Sequence, residues 1–105
     1  MTLAAPPAVA DPLFRAALQA LCGTRLVERL TERHLRILRA SIIEGRPYDD
    51  IGAGEGVTGN AIKVSLTRMG IVLGFEMGEL RPKLLAGYWW LAGTLDQAGP
   101  GGFNE

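Results

Sequence analysis

The sequence IGAGEGVTGNAIKVSLTRMGIVLG, residues 51–74, contains the signals of two helices joined by a tight turn. Its first part is a glycine-rich bend that separates the apolar residues Ile51 and Val57. Thr58 follows the bend, and its hydroxyl can cap a helix because it accepts hydrogen bonds from the free amides of the first turn. The apolar residues after Thr58 recur at helical spacing, which indicates one face of an amphipathic helix: Ile62, Leu66, Met69 and Leu73.

The opposite face of this second helix carries two cations and no acid. Its residues are Asn60, Lys63, Val64, Thr67 and Arg68. A short helix, a tight turn and a second helix with a cationic outer face is the plan of a helix-turn-helix, which places its second helix in the major groove of DNA. The pattern therefore predicts double-stranded DNA as the partner, with Arg68 near a phosphate and the other four residues facing bases. Thr58, Arg33 and Arg46 complete the DNA-binding residues that we expect.

A second periodic segment lies upstream and opens with Leu30-Thr31-Glu32-Arg33. Gly45 gives it a C-cap signal. Its arginines are spaced so that they share one helix face: Arg29, Arg33, Arg36 and Arg39. Two interpretations stay open for this face. It is either a solvated surface with salt bridges to Glu28 and Glu32, or a set of contacts to DNA phosphates.

Together these segments resemble the LuxR/GerE-type helix-turn-helix family over residues 30–75, a little under half of the chain. That family shows L-T-x-R, a helix, a glycine, an Ile-Ala pair, a Ser or Thr cap, then T-V-K and a distant L-G. The residues in matching places are Leu30, Thr31, Arg33, Leu38, Gly45, Ile51, Val57, Thr58, Ala61, Ile62, Lys63, Leu66, Leu73 and Gly74. Gly52 replaces the usual alanine, Gly56 a bulkier residue and Ser65 the common histidine. The resemblance implies a DNA-binding transcription regulator, with Thr31 as a helix cap. Residues 24–29 are then either a separate turn or run on into the helix that follows.

Two further helices are predicted at the ends of the domain, and both are unusually apolar. Asp11-Pro12 is a helix start, with Asp as N-cap and Pro at the first helical position. Pro82 starts a last helix, PKLLAGYWWLAGTL, and residues 75–80 before it are predicted to be a loop. Because one small domain cannot cover both helices, we expect a homodimer interface. Its residues would be Leu13, Phe14, Leu84, Leu85, Tyr88, Trp89, Trp90 and Leu91. The alternative for the first helix is packing on the core of its own domain.

The charge balance limits DNA binding and keeps a second function open. The net charge is zero and the pI is about 6.6, whereas a DNA-binding domain is expected to be basic. Affinity for DNA must then come from the local placement of cations, and non-specific affinity should be weak. The neutral charge and the aromatic last helix favour the alternative function, a protein-binding antiactivator that sequesters another transcription factor.

Catalytic, metal and cofactor sites are not expected from this composition. The chain has one His and one Cys, and no set of nucleophile, base and orienting group can be assembled. The glycine cluster does not predict a phosphate-binding loop, because Asn60 stands where such a loop needs its Lys. The lone Cys22 fits a reducing cytoplasm. The longest apolar run is far too short to span a membrane.

The predicted fold is all-α, a small helix-turn-helix bundle of about five helices near residues 12–22, 25–44, 47–55, 58–73 and 82–95. This prediction rests on helical periodicity with capping signals and on the lack of strand alternation. We expect a single domain over residues 11–95, with flexible tails at residues 1–10 and 96–105.

Overall fold

Six α-helices make up the part of the chain that the computed structural model describes, residues 11–98, with side chains described for residues 11–94. They are α1 (Pro12–Cys22), α2 (Thr24–Val27), α3 (Glu32–Ile42), α4 (Tyr48–Glu55), α5 (Gly59–Leu73) and α6 (Met77–Ala98). No strand occurs within these residues, so the predicted all-α class is confirmed. The predicted tail at residues 1–10 and most of the tail at residues 96–105 lie outside the described residues, whereas α6 continues past its predicted end to Ala98.

Side-chain caps start three of the helices at the residues that the sequence indicates. Asp11 Oδ1 accepts from the backbone N–H of Leu13 at 2.9 Å and begins α1. Thr31 Oγ1 accepts from His34 N at 3.1 Å, while His34 Nδ1 accepts from Thr31 N at 3.2 Å, a reciprocal pair that begins α3. Thr58 Oγ1 accepts from Ala61 N at 3.1 Å and begins α5. These bonds satisfy amides that have no partner inside the helix.

Left-handed glycines end α4 and α5. Gly56 has φ +76° and Gly74 has φ +82°, a region that residues with a Cβ rarely adopt. After Gly74 the amide of Phe75 donates to the carbonyl of Gly70 at 2.9 Å, which closes the last turn of α5. The chain therefore changes direction at Gly56, between α4 and α5, and again at Gly74, between α5 and α6.

The predicted single helix over residues 25–44 is divided into two, and this prediction was wrong. The short α2 closes with the bonds Arg29 N to Leu26 O and Leu30 N to Val27 O, which span three residues rather than four. Leu30 is buried at this break, and Thr31 then starts α3 with its own cap. Thr31 takes extended backbone angles to form this cap. Helix α2 therefore cannot continue through Thr31 into α3.

The segment predicted as a loop, residues 75–80, is helical from Met77 onward, so that prediction was wrong for four of its six residues. The carbonyl of Glu76 accepts from Leu80 N at 2.8 Å and forms the first turn of α6. Leu80 and Leu84 lie one turn apart on the same face, and both are fully buried. Pro82 lies inside the helix on its exposed side, where it removes one backbone hydrogen bond. Burial of Leu80 offsets that loss.

The two apolar terminal helices pack on each other, so part of the apolar surface expected at a homodimer interface is covered within this chain. α1 packs against α6, and the rings of Phe14 and Tyr88 have centroids 6.3 Å apart. Phe14, Leu84 and Tyr88, three of the residues expected at a homodimer interface, are buried inside this chain. They form one continuous core with the inward residues of α3 and α5, such as Leu38 and Leu66.

A polar network ties α1, α3 and α6 together at the edge of this core. Asp11 Oδ2 accepts from Arg39 Nε and from Tyr88 Oη, each at 2.7 Å. Burial raises the pKa of Asp11, but the hydrogen bonds from Arg39 and Tyr88 and the nearby positive charge outweigh burial, so the pKa lies below its ordinary value. One carboxylate therefore caps α1 and joins it to two other helices.

Candidate nucleic-acid interface

Helices α4 and α5 and the turn between them have the arrangement of a helix-turn-helix. The two helices pack directly on each other, and glycines lie at both points of closest approach. A Cβ on Gly52 would lie 2.5 Å from the carbonyl oxygen of Val57 in the turn. A Cβ on Gly59 would collide with the side chain of Asp49. The alanine that the family resemblance leads one to expect at position 52 therefore does not fit this turn.

The outward face of α5 carries the five residues that the sequence analysis assigned to DNA. All are exposed in the structure: Asn60, Lys63, Val64, Thr67 and Arg68. The inward face is buried, as its periodicity predicted: Ile62, Leu66, Met69 and Leu73. Ile71, with 76% of its surface exposed, extends the outward face by one turn. The structure thus presents an uninterrupted face of about three helical turns.

The two cations of this face are not neutralised inside the described part of the chain. Neither Lys63 nor Arg68 lies within 4.0 Å of a carboxylate of residues 11–94. An acid does come near, however, because Asp49 of α4 lines a shallow hollow of about 340 Å³ together with Asn60 and Lys63. Sequence reasoning missed Asp49, since its helix approaches α5 only through tertiary packing.

Arg33 and Arg46, the remaining cations of the predicted site, make internal ion pairs. Arg33 Nε lies 3.4 Å from Glu55 Oε1, and Arg36 Nη2 lies 3.1 Å from the same oxygen. The Glu55 side chain is only 4% exposed. Arg46 Nε lies 2.7 Å from Asp50 Oδ2. The hydrogen bond that Arg46 donates to Asp50 raises the pKa of Arg46, and the hydrogen bonds that Arg36 donates to Glu55 raise the pKa of Arg36.

The arginine face of α3 is therefore largely structural. Arg33 and Arg36 pair with Glu55 of α4, and Arg39 pairs with Asp11 and Glu44. These partners differ from the helical neighbours, Glu28 and Glu32, that the sequence suggested. Arg29, which precedes α3, is the one of the four arginines with no carboxylate within 4.0 Å among residues 11–94.

A groove of about 540 Å³ runs between α5 and the junction of α2 with α3; we name it the α5 groove. It is lined by Arg29, Leu30, His34, Ala61, Val64, Ser65, Arg68, Met69 and Val72. No acid lines it, and Arg29 and Arg68 contribute its charges. The sequence analysis did not assign Ser65 to the site, and it included Arg29 only in the open interpretation that the arginine face contacts DNA phosphates.

Two threonine hydroxyls of the site already form hydrogen bonds with the backbone. Thr58 Oγ1 caps α5 and is therefore occupied by the amide of Ala61. Thr67 Oγ1 donates to the carbonyl of Lys63 at 3.1 Å, so only its lone pairs are available to a ligand. Asn60, with both donor and acceptor capacity on an exposed amide, is the more versatile polar group of this face.

The residues of α1 and α6 that were predicted to form an interface differ in how much of their surface is exposed. Trp89 and Trp90 are 57% and 68% exposed. Leu13, Leu85 and Leu91 are half-buried against the core. Trp89 packs edge-on against the ring of Tyr88, with centroids 5.1 Å apart. These two exposed tryptophans are consecutive residues and point about 100° apart around α6. We name this pair of residues the tryptophan patch.

The described residues hold neither a cluster of metal-binding side chains nor a membrane-spanning helix. Within that part of the chain, no three His, Cys, Asp or Glu side chains come together as a metal site would require. No helix among residues 11–98 is both long and apolar enough to cross a bilayer. Comparison with known proteins gives no match to a family model, to a curated protein or to a solved structure.

Proposed function

We propose that this protein is a DNA-binding transcription regulator, with α4 and α5 as its helix-turn-helix. The observation that carries the proposal is the exposed face of α5, where Lys63 and Arg68 have no carboxylate within 4.0 Å among residues 11–94. The resemblance to the LuxR/GerE-type family over residues 30–75 supports it. A regulator of this kind acts in the bacterial cytoplasm on double-stranded DNA and requires no cofactor.

The side chains of α5 give each part of the face a separate role in the major groove. The Asn60 amide can pair with the N6 and N7 edge of adenine, and Lys63 can donate to guanine. Val64, 39% exposed beside these polar groups, fits the methyl group of thymine. Arg68 lies about two helical turns after Asn60, where its guanidinium contacts a phosphate. Arg33 and Arg46 contribute by bracing the scaffold, because their charges are paired internally.

Substitutions on α5 test this assignment. We expect Lys63→Ala and Arg68→Ala each to weaken DNA binding about tenfold, since a contact of this kind is worth roughly 1–3 kcal/mol. Asn60→Ala should change which sequence is preferred. The measurement is selection of binding sites from a pool of randomised duplexes, followed by fluorescence anisotropy on the selected duplex at several salt concentrations.

Lys83→Ala is the matched control for these variants. It removes one exposed positive charge from α6 that lines neither the α5 groove nor the hollow beside Lys63, and should leave DNA affinity unchanged within about twofold. Loss of affinity in Lys83→Ala equal to that in Lys63→Ala would show that only net charge matters. Binding that survives all three α5 substitutions would show that another surface contacts the DNA.

The same proposal includes a homodimer formed through the tryptophan patch. Exposed tryptophans are typical of interface hot spots, and burying them recovers about 25 cal/mol per Å² of apolar surface. Sedimentation equilibrium should show a dimer, and the double substitution Trp89→Ser and Trp90→Ser should convert it to a monomer. A symmetric dimer would place two α5 helices about 34 Å apart on a palindromic site. A clean monomer of the unsubstituted protein at tens of micromolar would contradict this part.

A second candidate function is supported by the same tryptophan patch and by the zero net charge. In it, the protein is an antiactivator whose patch binds another transcription factor. A gel shift of genomic fragments at low salt separates the two functions. A chain that binds no fragment and sediments as a monomer fits the antiactivator, because neither DNA nor a second copy then covers its exposed surfaces.

A further inference from the structure

The α5 groove combines an apolar floor with a cationic rim. Leu30 and Met69 are buried at its base, and Val64 and Val72 form apolar parts of its wall. Its length follows from α5, because the wall runs from Ala61 to Val72, about 16 Å at 1.5 Å per residue. This length equals about three turns of a helix laid alongside. DNA phosphates and sugars have no apolar side chain that could fill such a floor.

The two arginines at the rim have no carboxylate partner among residues 11–94, unlike the arginines of α3. Arg33, Arg36 and Arg39 are each paired with a carboxylate of this chain. Arg29 and Arg68 face the groove, and neither has a carboxylate within 4.0 Å among residues 11–94. A ligand that fills the floor with apolar groups and brings carboxylates to this rim would complement both features.

We propose that the α5 groove binds an acidic amphipathic helix of a partner protein. Apolar side chains of that helix, at spacings of three and four, would occupy the floor, and its carboxylates would meet Arg29 and Arg68. Val64 and Arg68 also belong to the proposed DNA-binding face, so the two ligands exclude each other. Binding of this helix to the groove does not depend on the proposed function. The competition between the helix and DNA does rest on the proposed function.

A designed peptide tests the groove directly, without DNA. The probe is a fluorescein-labelled peptide of about 18 residues, with Leu along one helical face and Glu on the other. Two matched peptides carry Lys in place of Glu, or Ser in place of Leu. Anisotropy titration of the full chain should show binding of the Leu/Glu peptide in the micromolar range, and each matched peptide should bind at least about tenfold more weakly.

Two substitutions on α5 locate the binding. Val64→Glu places a carboxylate in the wall of the groove and should weaken binding of the Leu/Glu peptide at least about tenfold. Ile71→Glu adds the same charge to the same helix at a residue that is 76% exposed and does not line the groove. It should change binding by less than about twofold. Far-ultraviolet circular dichroism of both variants confirms that helix content is retained.

Three results would overturn the proposal. They are equal weakening by Val64→Glu and Ile71→Glu, equal binding of the Ser-substituted peptide, and no binding of the Leu/Glu peptide up to about 1 mM. Adding the selected DNA duplex separates this inference from the proposed function. Peptide binding without any DNA binding refutes the proposed function alone, and DNA binding without peptide binding refutes the groove alone. Displacement of DNA by the peptide supports both.

Discussion

Replacing Asp11 with Ala is expected to lower the free energy of unfolding by about 3 kcal/mol. The substitution removes the cap of α1 and, at the same time, the acceptor for Arg39 and Tyr88. Both members of the Asp11–Arg39 pair are mostly buried, with 15% and 18% of their side chains exposed. Solvent therefore compensates poorly for the lost partner, and Glu44 is the carboxylate that remains paired with Arg39.

Urea-induced unfolding followed by far-ultraviolet circular dichroism measures this loss, and two related variants separate its parts. Asp11→Asn keeps an oxygen for the cap but loses the charge, so it should cost less than Asp11→Ala. Asp50→Asn makes the same change in an ion pair whose acid is 44% exposed, and should cost under about 1 kcal/mol. Equal costs for Asp11→Asn and Asp50→Asn would show that burial of the Asp11 network contributes nothing.

The same network predicts the direction of acid destabilisation. Because the pKa of Asp11 is lower in the folded chain than in the unfolded one, its contribution is fully present above the unfolded pKa. That contribution is lost as the pH falls through the lowered folded pKa. The difference in unfolding free energy between the unsubstituted protein and Asp11→Asn should therefore shrink on acidification.

The local parts of the fold could be predicted because the sequence contains their physical causes. Asp11, Thr31 and Thr58 each start a helix through a side-chain oxygen, and such caps depend on residues only two or three positions away. The buried face of α5 follows from spacing alone. The start of α6 could not be read in this way. Pro82 is a strong signal for a helix start, yet burial of Leu80 against the rest of the core begins the helix earlier.

The candidate site shows the same division between local and distant causes. Periodicity placed Lys63 and Arg68 on the exposed face of α5, where the structure has them. It could not show that Glu55 would neutralise Arg33, because those two residues lie on different helices and meet only when α3 packs on α4. The α5 groove also depends on tertiary packing, since Arg29 and Arg68 reach it from separate segments.

Replacing Leu80 with Ala should lower the free energy of unfolding by about 3 kcal/mol. If Leu80 lay in a loop, as the sequence suggested, its truncation would cost almost no stability. The structure instead places Leu80 in the first turn of α6 with no exposed surface. Truncation removes its buried methyl groups and leaves a cavity in the core, which the anchored start of α6 cannot fill by collapsing. Alanine has high helix propensity, so the loss reports packing and not helix formation.

Ile71→Ala is the control for Leu80→Ala, and the pair of variants distinguishes a packed helix start from a loop. Ile71 also lies in a helix, but 76% of its surface is exposed, so its truncation should change stability by less than about 0.5 kcal/mol. Urea-induced unfolding measures both. Equal and small effects would mean that α6 begins at Pro82 as the sequence predicted. A large effect of Leu80→Ala alone means that tertiary packing, and not the proline signal, sets where the last helix begins.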